Sequence, residues 1–445
     1  MPSTPRLTLS NALALGLMTF ALFLGAGNLV FPPQVGQQAG TDVWPAALGF
    51  LTTGVGLPVL GIVAVAVSGG GLDRILSPLP RWAATLFGLA IYLSIGPMFA
   101  MPRTATVSWS MGAEPFFGQA SSLDQTLYII GFFSIAVTLS LMPGRLVDVV
   151  GKWITPLLII LLVILAGATV LFPQGPLGSV SPQWQDAPFA QGFQHGYMTM
   201  DMLASMVFGI LIVNAIRSKG VTDTASLTRY TLLAGLVAGI CLSGVYLPLT
   251  YMGATSHLVA PGAGSGELIP AYVNALFGPT GNVLLAAVIT LACLTTAIGL
   301  LTACGEYFHG LMERVSYRTI VIILGVLGVV VALQGLSTLI QVSVPVLSAL
   351  YPLAIVVILL SLVRPFLPHP GRMFNAALLL TLPAGLLDGL AAAHLLDAWP
   401  ALSTFKEALP LAREQADWLM PALAGIGLGA ILQFIPSPDR RTETA

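Results

Sequence analysis

An apolar run long enough to cross a hydrocarbon layer recurs about twelve times along the 445-residue sequence, and that recurrence leaves few folds open. A bilayer core of about 30 Å takes roughly 20 helical residues to span. The runs lie near 9–35, 43–68, 81–103, 124–143, 150–172, 195–216, 229–254, 281–308, 317–335, 338–363, 373–395 and 417–435. Charged residues make up only 8% of the chain and apolar ones 56%, against roughly 25% charge in a soluble domain. Such a chain cannot cover itself for water. The reading is an all-α integral membrane protein, one transmembrane domain over 1–445 with no sizeable soluble part. A nucleic-acid binder, a disordered chain and a secreted disulfide scaffold are excluded. Cys241, Cys293 and Cys304 all fall inside apolar runs, which makes them packing residues. A net charge of −1 offers no polybasic arm, so the expected partners are membrane lipid and a small solute, with no nucleic acid, obligate protein partner or cofactor.

The basic residues test the count, because short cytoplasmic loops collect Lys and Arg. Arg6, Arg74, Arg81, Arg145, Lys152, Arg217, Lys219, Arg229, Arg314, Arg318, Arg364, Arg372, Arg440 and Arg441 fall on one side. Lys406 and Arg413 fall opposite, and Arg103 marks the outer end of its span, within reach of Glu114 or Glu267 for an outer gate. The alternation predicts an even number of spans with both termini cytoplasmic. Arg6 followed by Ala12-Leu13-Ala14 loosely resembles a cleavable leader, but the apolar run continues to Phe31-Pro32-Pro33, so it reads as a span.

Two runs carry helix breakers at membrane depth, where irregular backbone survives only if protein or a bound polar ligand satisfies it. The first is Gly25-Ala26-Gly27-Asn28 and the second Gly196-Tyr197-Met198-Thr199-Met200-Asp201. The apolar stretches between these and the cytoplasmic face rise about 20 and 22 Å, so both breaks sit at one height. Broken first and sixth spans predict two five-helix inverted repeats, about 7–173 and 189–363, with extra helices over about 373–435.

A broken helix offers N–H groups to an anion and C=O groups to a cation. A zwitterion with its carboxylate at Gly27 and Asn28 and its ammonium at the carbonyls of 197–199 satisfies both, which describes an amino acid. Tyr92, Ile95, Met98, Met200 and Phe208 suit an apolar side chain. In the eighth span, Ala292-Cys293-Leu294-Thr295-Thr296 sets two hydroxyls side by side, fit for a hard monovalent cation beside carbonyls freed at Ala21 and Leu24. The plainer alternative is that each threonine bonds back into its own helix. Asp201 is either a ligand or the N-cap of the second half-helix. Glu306 and Asp388 read as interfacial or paired, and Gly235-x-x-x-Gly239 and Gly425-x-x-x-Gly429 as close helix contacts. No phosphate-binding G-x-x-x-x-G-K-[ST] loop occurs. An intramembrane enzyme is disfavoured because His195, His257, His309, His369 and His394 are scattered; a channel is disfavoured because polarity is confined to the breaks.

The segment from Phe20 through Gly25-Ala26-Gly27-Asn28 to Pro33, followed by Gly36-Gln37-Gln38-Ala39-Gly40, closely resembles the first helix of the bacterial branched-chain amino acid:cation symporters. Gly96-Pro97, Pro102-Arg103-Thr104-Ala105, Gly196 to Asp201, Ala292 to Leu300 and Glu306-Tyr307-Phe308 extend the resemblance in family order. It implies membership of the amino acid–polyamine–cation superfamily, the leucine-transporter fold, and sodium-coupled import of leucine, isoleucine and valine through the bacterial inner membrane. It further implies a substrate site at Gly25, Ala26, Gly27, Asn28, Tyr197, Met198, Thr199 and Asp201. Sodium would be held by the carbonyls of Ala21, Leu24 and Ala292 and the hydroxyls of Thr295 and Thr296. Proton coupling and another small neutral amino acid are the alternatives.

Overall fold

With no water to take up backbone hydrogen bonds, apolar runs must satisfy them internally as helices, and in a computed structural model every regular element is a helix among the described residues, 7–142, 154–264, 266–412, 414 and 416–434. Arg6, Arg145, Lys152, Arg413, Arg440 and Arg441, used above for orientation, lie outside them.

In chain order the α-helices are α1 (Leu9–Phe23), α2 (Ala26–Ala39), α3 (Val43–Leu51), α4 (Leu57–Val67), α5 (Leu72–Leu76), α6 (Arg81–Leu93), α7 (Ala100–Val107), α8 (Ser122–Ser140), α9 (Thr155–Leu171) and α10 (Pro188–Tyr197). They continue as α11 (Asp201–Arg217), α12 (Thr224–Ala254), α13 (Leu268–Phe277), α14 (Pro279–Leu311), α15 (Tyr317–Ala332), α16 (Leu336–Val363), α17 (Pro370–Ala392), α18 (Pro400–Glu407) and α19 (Leu419–Leu432). Each apolar run of the sequence carries at least one of them. Among the described residues seven helical stretches are long and apolar enough to cross a membrane, eight if the bent pair α10 and α11 is one span. Shorter apolar helices include α1, α9, α13, α15 and α19.

Local chemistry sets the ends. Asp223 caps α12 by accepting from the Ser226 N–H at 2.8 Å, and that backbone bond holds its carboxyl below the usual range. Ser316 caps α15 in the same way through Thr319. Irregularity also occurs at a place the sequence reading passed over. Between α6 and α7 the backbone passes through a wide turn over Ser94–Met98, with Gly96 at ψ −120°. Pro97 is the cause: it has no N–H to give and its ring crowds the preceding turn.

The two glycine pairs are intrachain contacts. A Cβ on Gly425 would stand 2.6 Å from Cα of Ala377, and one on Gly429 2.8 Å from Cα of Met373, so α19 lies backbone to backbone on α17. Gly235 and Gly239 bring α12 against Ile62 and Val55. At one end of this C-terminal pair Lys406 of α18 bonds Asp388 of α17 at 2.5 Å and Asp417 at 2.9 Å. Asp388 is thus paired, as its position in an apolar span requires, while Glu306 is exposed.

Candidate functional site

The first break falls at Leu24 and Gly25. After α1 stops, Leu24 turns to ψ 88° and Gly25 is extended, φ −121° and ψ −160°, before α2 starts at Ala26. Asn28 stabilises the new helix end by accepting the Gly25 N–H on Oδ1 at 3.1 Å, one of the donors a helix start leaves open. The second break falls at Met198, Thr199 and Met200, where α10 and α11 meet at a 44° bend. Met200 takes the left-handed conformation, φ 67° and ψ 6°. For a residue with a Cβ this costs about 1–2 kcal/mol, so the surrounding contacts must hold it there.

Asp201 does not act as the N-cap offered for it above; Met200 holds the cap position and Asp201 opens α11. Its own N–H donates to Thr199 Oγ1 at 3.3 Å. The carboxylate instead joins the two breaks: Oδ2 accepts from Asn28 Nδ2 at 2.5 Å and from the Tyr246 hydroxyl of α12 at 3.0 Å. Asn28 Nδ2 also meets the Tyr246 hydroxyl. All three residues are buried, and a buried carboxylate needs such donors because water is not there to supply them. Tyr246 escaped the sequence reading, since a single tyrosine in a long apolar helix carries no spacing signal.

Arg103 departs furthest from expectation. It is buried at 3% exposure rather than placed at an outer interface, and neither Glu114 nor Glu267 meets it. Nη1 donates to the carbonyl of Met198 at 2.8 Å and Nη2 to that of Thr199 at 3.2 Å. Its guanidinium lies 5.4 Å from the centre of the Phe31 ring. The wide turn at Gly96-Pro97 is the reason: α7 restarts beyond it as a fully buried helix, carrying Arg103 into the protein instead of out to a headgroup layer. Of the carbonyls of 197–199 offered above to a substrate ammonium, those of Met198 and Thr199 therefore already have a cation, and that of Tyr197 accepts the Met200 N–H.

Between the breaks lies a narrow cavity of about 20 Å³, room for roughly one water. Gly25, Ala26, Gly27, Asn28, Thr199 and Asp201 line it, as do Ile95, Met200 and Phe208 of the expected apolar wall, with Phe23 and Leu300 added. Arg103 and Asp201 are its two charged residues. Four residues expected here stand elsewhere. Tyr197 stacks on Tyr351 at 4.3 Å, Tyr92 stacks on Tyr307 at 3.6 Å, and Met98 is exposed. Met198 borders a second, wider cavity of about 610 Å³ that it shares with Phe31, Gln34 and Lys406.

The threonines of α14 reach across to α1. Thr295 Oγ1 donates to the Ala21 carbonyl and to the Ala292 carbonyl, both at 2.9 Å. Thr296 Oγ1 donates to the Leu22 carbonyl at 3.0 Å and lines the cavity. Ala21, Ala292 and Thr295 thus converge as a cluster of neutral oxygens. Thr296 meets Leu22, one residue along from the expected Ala21, and no hydrogen bond brings the Leu24 carbonyl to either threonine. Backbonding within α14 accounts for only one of the three bonds.

Known proteins resemble this chain, some in sequence and others in fold. The family described as branched-chain amino acid transport protein matches residues 8–435. A "branched-chain amino acid transport system 2 carrier protein" of Pseudomonas aeruginosa is 50% identical over 422 residues, covering 95% of each chain. The "branched-chain amino acid permease BrnQ" of Escherichia coli K12 is 47% identical over 429 residues, 96% of this chain and 97% of its own. Among solved structures, a nucleobase-cation-symport-1 family transporter, Mhp1, superposes with a TM-score of 0.61 at 15% identity, covering 94% and 99% of the two chains. A Na⁺-coupled sialic acid symporter gives 0.58 at 14% identity, covering 96% and 90%. At such identities the likeness is one of fold.

Proposed function

We propose, from the premise that this chain belongs to the branched-chain amino acid transport protein family, that it is a symporter carrying leucine, isoleucine and valine inward across a bacterial cytoplasmic membrane. The family is one of transporters, not enzymes. The observation that carries the reading is the cavity shared by both helix breaks, whose lining combines the broken backbone and one charge of each sign with aromatic and aliphatic side chains. A zwitterion with an apolar side chain matches that combination, and a lysine or glutamate side chain would find no further charge to meet.

Sodium is the proposed coupling ion. Hydroxyl and carbonyl oxygens at Ala21, Ala292, Thr295 and Thr296, with Leu24 one turn on from Ala21, are the donor type a hard cation takes. The ion replaces the threonine protons as partner of the carbonyls and ties α1 to α14, which fixes the first break in its binding form. A proton is the second reading, favoured by one observation: the buried Asp201 carboxylate lies between the two breaks, where gaining a proton would alter its bonds to Asn28 and Tyr246.

The architecture that goes with this proposal is twelve spans in two inverted five-helix repeats of the leucine-transporter kind, plus two C-terminal helices, with both termini cytoplasmic. Alternating access is rocking of the bundle of spans one, two, six and seven against spans three, four, eight and nine. Binding of labelled leucine to the purified protein in detergent tests the site. Isoleucine and valine should compete and sodium should tighten binding; equal competition by lysine or glutamate would remove the apolar pocket from the account.

A further inference from the structure

Arg103 is a permanently charged group inside an apolar protein, and its environment uses only part of it. Of five N–H donors, the structure engages one on Nη1 and one on Nη2, and buried Nε has no partner. Asp201 lines the same cavity, yet no ion pair joins the two among the described residues; the carboxylate bonds Asn28 and Tyr246 instead. Two opposite charges are therefore held apart across a cavity, each by neutral partners. In a medium of low dielectric that arrangement is costly unless something of complementary charge fills the gap.

We propose that Arg103 is the carboxylate-binding residue of the transport site, a reading that rests on the amino acid symport proposed above. The substrate's carboxylate bonds the guanidinium and its ammonium faces Asp201. This reverses the polarity that the second break alone suggests, because the carbonyls of Met198 and Thr199 bind the arginine, and the arginine binds the anion. A guanidinium suits this role because its planar donor fork takes a carboxylate through two parallel bonds.

Placement supports the assignment. Arg103 borders the narrow cavity, while Phe31, which its guanidinium covers, and Met198, whose carbonyl it holds, border the wide one. The arginine thus stands beside the partition between them, on the narrow side, with Phe31 and Met198 between it and the wide one. The cavity at about 20 Å³ is far too small for leucine, so the halves must part on binding, while the bonds to Met198 and Thr199 leave Nε and further N–H groups of the arginine for the anion. Gly27 is part of the device: a Cβ there would come 2.6 Å from Nη2, so any larger residue pushes the guanidinium off its seat.

The experiment compares leucine with leucinol, its analogue in which CH₂OH replaces the carboxylate, as ligands of wild type, Arg103→Gln and Arg103→Lys purified in detergent. Wild type should prefer leucine strongly. In Arg103→Gln the affinity for leucine should fall roughly 10- to 100-fold while that for leucinol stays within about threefold, so that the preference collapses. Arg103→Lys should show the same loss in smaller measure, since it keeps the charge without the fork, and it serves as the folded variant if the neutral one cannot be purified. An equal fall for both ligands would mean that Arg103 merely braces the break between α10 and α11, and would overturn the proposal with the symport reading intact. Wild-type protein that binds neither leucine nor isoleucine would instead remove the reading on which the proposal rests.

Discussion

Thr295 is the residue on which the proposed cation site turns, because its hydroxyl alone touches carbonyls of both α1 and α14. Thr295→Ala should weaken the apparent sodium affinity of uptake by roughly tenfold, the worth of one or two oxygen ligands, with expression unchanged; Thr296→Ala should do so too. Unaltered sodium dependence in both would locate the ion elsewhere. Asp201 carries a different burden. Asp201→Ala would orphan donors on Asn28 and Tyr246, each worth about 1–3 kcal/mol when buried, so its melting temperature in detergent should drop well below that of Asp201→Asn, which keeps an acceptor.

At this scale the sequence was partly legible. Asn28, Thr199, Asp201 and Thr295 stood out because polar residues at membrane depth must have a partner. Arg103 and Tyr246 were misjudged or missed, since hydropathy assigns a charge near a span's end to the interface and cannot register a helix displaced by Pro97.

The breaks behave as elements with their own energetics. Met200 is the strained residue of the break between α10 and α11, so Met200→Val, which adds β-branching at positive φ, should lower thermal stability, while Met200→Gly relieves the strain but deletes a buried side chain and should lower it by about 1–3 kcal/mol. Both follow from melting curves of the purified variants. The C-terminal pair has a separate fastening. Lys406→Ala would leave Asp417, whose side chain is wholly buried, beside Asp388 with no cation. A loss of about 3–5 kcal/mol is expected for stripping one member from such a cluster, read as earlier unfolding or as proteolysis near α18. The location of both breaks could be read from glycine and polar residues to within a few positions. Their exact form could not: a left-handed methionine leaves no compositional mark, and which carbonyl a guanidinium will cover depends on a helix from another part of the chain.

For the molecule as a whole, scarcity of charge was the most informative property. Each apolar run of the sequence became a helix because lipid allows little else, and an interior so poor in charge makes the few buried charges conspicuous. Lys406 with its two carboxylates secures the C-terminal helices; Arg103 and Asp201 face one cavity between the breaks. That division gives the transport reading its physical content, in that recognition falls to helix ends, hydroxyls and one charge of each sign. It also makes the coupling ion a question of gradients. The most direct measurement is uptake of labelled leucine into proteoliposomes, with sodium and proton gradients imposed one at a time. Accumulation driven by an inward sodium gradient at equal pH, abolished when sodium is equal on both sides, is the predicted result; no accumulation under either gradient would contradict the account.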